Sequence, residues 1–346
     1  MAYTTIKKPT DYFNTVLYTG NGVDDRSITG VGFQPDFTWI KSRTTTDYNT
    51  LFDVVRGVGK RIFSNANEVE DTTPDSLQAF ESDGFEVGTN NGVNGNNYNF
   101  ASWNWKANGA GSANTDGSIS STVSASATSG FSIVKWTNST SNAGTIGHGL
   151  GVAPKMILVK TTSGTYNWYV YHKSIGAGNF LELNGTVGSQ ASANLFDNTE
   201  PTTSVFSTGT NPAFINSTMI AYCFAEKQGF SKFGSYAGNQ NNDGTFVYLG
   251  FKPSFVMVKR YSAGNPTATN WVILDNKRDT ENTVDKWLYA NASDAEYTAS
   301  SGETDFVSNG FKIRGTGSYY NDSGHNYIYM AFAEQPLVGD NPATAR

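Results

Sequence analysis

A ten-residue signature that occurs three times limits the possible folds of this chain more than any other feature. It reads Gly32-Phe33-Gln34-Pro35-Asp36-Phe37-Thr38-Trp39-Ile40-Lys41, then Gly151-Val152-Ala153-Pro154-Lys155-Met156-Ile157-Leu158-Val159-Lys160, then Gly250-Phe251-Lys252-Pro253-Ser254-Phe255-Val256-Met257-Val258-Lys259. Each copy has a glycine three residues before its proline and a lysine six after it. An aromatic opens the pattern upstream, at Tyr18, Trp136 and Tyr236. Downstream, Asp53, His172 and Asp275 follow the prolines by 18, 18 and 22 residues, and Asn65, Asn184 and Asn291 by 30, 30 and 38. The third copy is therefore longer by two insertions, near Ser262 to Ala268 and near Thr280 to Thr283, as expected of surface loops. Self-similarity at this period means tandem repeats of one structural unit.

The unit is built from strands. Runs such as Phe131-Ser132-Ile133-Val134-Lys135-Trp136 and Tyr327-Ile328-Tyr329-Met330-Ala331-Phe332 are short, rich in β-branched and aromatic residues, and bounded by Gly, Asn and Ser. Phe255 to Val258 is apolar throughout, the pattern of a strand buried on both faces. The signature proline suits the first residue of its strand, where no ladder donor is needed. Repeats of this size with several short strands predict an all-β chain of three tandem β-sandwiches, over residues 13–107, 131–226 and 230–334. One helical turn fits Ser293 to Tyr297. Residues 108–130, rich in Gly, Ser, Ala and Thr, read as a linker that separates the first two units or drapes as an extended ribbon. Only Lys227-Gln228-Gly229 joins the second unit to the third, which predicts a rigid pair. Residues 1–12 and 335–346 read as polar arms, frayed or docked on a neighbouring subunit.

Composition narrows the function. Aromatics reach 14% and charged residues only 16%, so the chain is neither disordered nor a helical bundle. A net charge of −6 argues against nucleic acid, which calls for a basic face. Cys223 is the single cysteine, so no internal disulfide forms and a cysteine-based zinc site is excluded. Its apolar surroundings mark a small buried thiol. Met1 to Thr10 shows no secretory signal, and no apolar run is long enough to span a membrane.

Catalytic constellations are sparse. The three histidines, His148, His172 and His325, have no metal-ligand spacing, and there is no G-x-S-x-G elbow. Glu226 and Glu334 end matching strands of different units, so they are not the close carboxylate pair of a glycosidase. No enzyme, metal or cofactor is expected. Asp53-x-x-Arg56 and Asp275-x-x-Arg278 share one spacing and read as local ion pairs pinning a strand end, with His172-Lys173 in their place in the second unit. As surface pairs they would contribute only ~0–1 kcal/mol. Pro35, Pro154 and Pro253 are the structural prolines of the signature. Sugar recognition pairs an aromatic platform with polar loop groups. Tyr166, Trp168 and Tyr171 in the second unit, and Tyr261 and Trp271 in the third, are the candidate glycan-binding residues. Asn239 to Gly244 is rich enough in oxygen ligands to suggest calcium, but it lacks EF-hand spacing and equally suits ordinary turns.

The runs Tyr18 to Gly22 and Ser27 to Phe37 resemble a family of tailed-bacteriophage virion proteins abundant in phages of marine bacteria and cyanobacteria. So do Gly147 to Lys155, Gly229 to Tyr236 and the ending Pro342 to Arg346, which together span essentially the whole chain. The family is defined mainly as a domain of unknown function, commonly labelled tail-fibre-like or virion structural protein. The resemblance implies lectin-like, jelly-roll sandwiches and a place on the virion. It also implies tail or capsid proteins as partners, a host surface polysaccharide as ligand and, by analogy with fibres, a homotrimer. The expected role is therefore a non-enzymatic tail-associated protein. The alternatives are a capsid decoration or head-fibre protein and a glycan-degrading tailspike.

Overall fold

The computed structural model describes residues 3–139, 142–262, 269–300, 302–338 and 342–343. The protein is all-β, with antiparallel pairing within every sheet. Among the described residues the helical content is a 3-10 turn, Pro9–Asp11, and one α turn, Asn91–Asn94; Ser293 to Glu296 is irregular rather than helical.

Each sequence unit supplies one large and one small sheet. In the large sheets the signature strands Phe37–Ser42, Met156–Thr161 and Phe251–Arg260 pair with the closing strands Asn99–Trp105, Ser217–Phe224 and Asn326–Pro336. The small sheets are Arg26–Thr29 with Gly84–Val87 and Leu77–Glu81, Gly144–Gly147 with Val205–Thr208, and Phe246–Tyr248 with Gly310–Ile313 and Thr304–Val307.

The period of two sorts each signature strand into two buried faces. Phe37, Trp39, Met156, Leu158, Phe255 and Met257 point one way, into a single core shared by all three units. Ile40, Ile157, Val159, Val256 and Val258 point the other way, into separate cores beneath the unit's own small sheet. Each unit is thus a two-layer sandwich, and the three large sheets turn their remaining faces toward one another. Phe13, Trp105, Phe224, Phe255 and Phe332 interlock at the centre, with ring centroids 4.8–6.3 Å apart.

Several expectations change. The second and third units are not a pair set apart from the first, because a strand apolar on both faces needs two covers and its own unit supplies only one. Residues 108–130 are no spacer: Ser112–Asn114 and Ser121–Ser126 extend the second sheet to eight strands, and Val123 is buried against its outer face. The N-terminal arm docks on its own chain, with Ile6 in the shared core and the Tyr3 hydroxyl donating to the Gly250 carbonyl at 2.8 Å. Gln335 and Pro336 of the C-terminal arm continue the last strand. Pro35 and Pro154 lie two residues before their strands, whereas Pro253 sits inside one, where the register shifts and no regular ladder bond is lost. The insertion near Ser262 to Ala268 lies almost wholly outside the described residues.

Candidate carbohydrate-binding cleft

Most of the recurring polar residues turn out to be joints between units. The signature lysines Lys41, Lys160 and Lys259 are buried on the inner face. Each reaches back to the preceding unit and donates to the carbonyl two residues past that unit's recurring asparagine: Ser293 at 2.8 Å, Asn67 at 3.3 Å and Thr186 at 2.6 Å. Further carbonyls in the lysines' own units, of Asp47, Tyr166 and Thr269, complete the shells. Burial pulls Lys41 and Lys160 down to about 8 and Lys259 to about 7. The asparagines hold the other side of the joint. Asn65, Asn184 and Asn291 accept from the amides of Asn49, Trp168 and Trp271. Those three side chains in turn donate across to the carbonyls of Tyr289, Phe63 and Glu182.

Asp53 and Asp275 also span units. Each accepts from the amide and the Nε of the arginine three residues on, both pairs being fully buried. They are therefore not the weak surface pairs expected. The second oxygen of Asp53 takes the Tyr222 hydroxyl at 2.7 Å, and that of Asp275 takes Trp103 Nε1 at 3.1 Å. In the third unit the position of Trp103 and Tyr222 is held by Met330, which has no proton to offer, and in the second unit His172 stands where the aspartates do. Its Nδ1 accepts from Ser174, so Nε2 carries the proton toward the Tyr329 carbonyl at 3.4 Å. Burial holds His172 neutral, at about 4. The residue equivalent to Arg56 and Arg278 is Ile175, so without a carboxylate no arginine is buried. Lys173 instead pairs with Glu200 in an exposed contact.

The aromatics expected to hold glycan are mostly interior. Trp168, Trp271 and Tyr171 are 0–1% exposed, and the Tyr171 hydroxyl is spent on Glu200. Tyr166 and Tyr261 are half-buried against separate cores. The structure does not bring these residues to one surface. In the Asn239 to Gly244 turn, Asn239 and Asn241 accept backbone amides and Asp243 pairs with Lys312.

The first unit instead carries an open cleft of about 560 Å3, lined by Asp47, Tyr48, Arg61, Glu68, Asp71 and Asn91 among others. Tyr48 is 48% exposed, its ring centroid 4.8 Å from that of Phe63. Arg61 lies 5.4 Å over the same Phe63 and grips Asp71 with two bonds, at 2.8 and 2.6 Å. Asn90, which caps the helical turn by accepting from Gly92 at 3.0 Å, closes the far wall. This chemistry is peculiar to the first unit. The residues equivalent to Tyr48 are Asn167 and Asn270, which bond to Asn184 and Asn291 and tie down their own turns. Tyr48 has no side-chain amide to do so, and its half-exposed ring lies against Phe63. Where Arg61 faces Asp71, the other units pair Phe180 with Gln190 and Trp287 with Tyr297. The sequence signal for the cleft was this odd member of each aligned triple, not the aromatics beside the variable loops.

Half-exposed aromatic surface beside fixed planar donors and acceptors suits a sugar ring, whose C–H face stacks while its hydroxyls take hydrogen bonds. Asp47, Glu68 and Asp71 against Arg61 leave the lining net negative, which disfavours an anionic ligand. No curated protein matches the chain. A family model matches residues 8–336, nearly the whole sequence, and the chain belongs to that family: the domain of unknown function DUF7483.

Proposed function

We propose that this chain is a non-enzymatic surface protein of a tailed-phage particle, tail-associated, which holds a neutral or amino-sugar-containing host glycan in the cleft beside Tyr48. The observation that carries the glycan reading is the half-exposed Tyr48 ring next to the Arg61–Asp71 pair, at positions where the other units close their turns. The sequence resemblance supports the virion setting, and a rigid body with one shared core suits repeated use on a symmetric particle, where many weak contacts add up.

A glycan array probed with the full chain tests the ligand. We expect binding to uncharged or amino-sugar glycans, weakened at least about tenfold in Tyr48→Ala at an unchanged urea midpoint. No glycan bound, or binding indifferent to Tyr48, overturns it. Cryo-EM of the particle tests the setting: density at the tail supports an attachment role, and density on the head lattice favours the decoration alternative. Three carboxylates line the cleft, so the tailspike alternative is checked in the same series by assaying release of reducing ends. Arg61 occupies both oxygens of Asp71, and we expect none released.

A further inference from the structure

The three small sheets differ along one edge. In the first unit the edge strand Arg26–Thr29 shows Ser27 and Thr29 to solvent. Acidic groups surround it: Ser27 bonds to Glu81 at 2.9 Å, and Asp24, Asp25 and Glu81 all act on nearby Glu86. Charge of this kind blunts an edge against pairing. In the second unit the chain covers the edge itself. Ile119 forms a parallel bridge with Ile146, its amide donates to the Thr145 carbonyl at 3.0 Å, and Ser118 and Thr145 exchange bonds at 2.9 Å. The fit is close: a Cβ on Gly144 would lie 2.6 Å from the Ile119 side chain, and one on Gly147 1.8 Å from that of Asn114.

In the third unit no segment among the described residues pairs with the outer side of the equivalent strand Phe246–Tyr248. It lies at the edge of its sheet, and Phe246 and Tyr248 are 44% and 50% exposed at the positions of Ser27 and Thr29, or Thr145 and Gly147. The flanking bonds, Ile313 amide to Thr245 carbonyl and Leu249 amide to Asn309 carbonyl, fix the alternation. Val247 faces the neighbouring strand, and the amides and carbonyls of Phe246 and Tyr248 face outward. Lys232 reaches the outward Tyr248 carbonyl at 2.9 Å, its ammonium 5.1 Å from the Tyr248 ring.

We propose that this edge is a strand-addition site. It takes an extended segment of a partner polypeptide with an aliphatic residue between hydroxyl residues, seated as Ser118-Ile119-Ser120 sits on the second unit. Bonds to the outward amide and carbonyl of Phe246, the position of Thr145, supply the affinity, the aliphatic residue packs beside Val247, and its neighbours cover the two exposed rings. The chain's own covered edge, and the outward backbone groups, favour a polypeptide over a ligand that only stacks.

The test titrates the full chain into a fluorescein-labelled peptide of residues 115–123 (TDGSISSTV), read by anisotropy. We expect saturable binding, lost when the peptide is N-methylated at the residue corresponding to Ile119 and lost in Phe246→Pro, which removes an outward amide and no bond to the neighbouring strand. The double variant F246S/Y248T should weaken binding at least about tenfold, and Tyr48→Ala should leave it unchanged. The N-methyl peptide keeps the test valid if Phe246→Pro fails to fold. Absence of saturable binding, or binding indifferent to N-methylation, overturns the proposal.

Discussion

At the residue scale, the joints show why similar positions carry different side chains. Asp53 and Asp275 are tolerated without solvent because each collects an arginine, backbone amides and a donor from the next unit. Removing one partner of such a buried pair leaves an uncompensated charge. Arg56→Ile should therefore cost about 3–5 kcal/mol in urea unfolding, and adding Asp53→His, the pair the second unit uses, should recover part of that loss. No change in midpoint on Arg56→Ile would contradict this account. The Asp-x-x-Arg spacing was legible as a local pair, but its burial was not, because the second cover comes from residues about 170 positions away. The cleft was missed for a related reason. Trp168 and Trp271 look like platforms in one dimension, and only the three-dimensional joint shows their indole N–H groups directed at a neighbouring unit's carbonyls.

At the element scale, the all-β character followed from local pattern, and the role of the segments between the strand-rich stretches did not. Residues 108–130 have the composition of a flexible linker, yet Val123 and the alternation around it let the segment join a sheet that offered an open edge. The N-terminal arm is mostly polar, yet its Ile6 is 2% exposed in the shared core. Ile6→Ala should cost about 2–5 kcal/mol, and deleting residues 1–11 should lower stability as well. Differential scanning calorimetry of the two variants checks this, and an unshifted transition would show that the arm is dispensable.

At the scale of the whole molecule, a common core makes the three units one cooperative body. The full chain should unfold in a single transition, and residues 13–107 expressed alone should self-associate through the exposed face that bears Phe37, Trp39 and Trp103. Three separable transitions would argue against the shared core. Stability should also depend on pH in a way its buried groups define. His172 titrates near 4 when folded against 6.5 when unfolded, so the unfolded chain holds the extra proton between those values and stability rises with pH across them. The three lysines sit at about 7–8 against 10.5, so stability rises again over that window. Tyr18, Tyr222 and Tyr236 are held above their ordinary value of 10.0 by burial, and that contribution is lost as pH rises past it. Urea midpoints should therefore peak near about pH 9–10, and a decline between pH 7 and 9 would contradict the lysine assignment. The unlike joints have one more consequence. Three similar blocks can close around an axis clockwise or anticlockwise, and a core of apolar side chains alone would scarcely tell the two apart. The mirror order would set Asp53 opposite Met330, which has no proton to give, and the His172 N–H opposite the Trp103 N–H. The unlike polar pairs are thus satisfied in only one of the two orders.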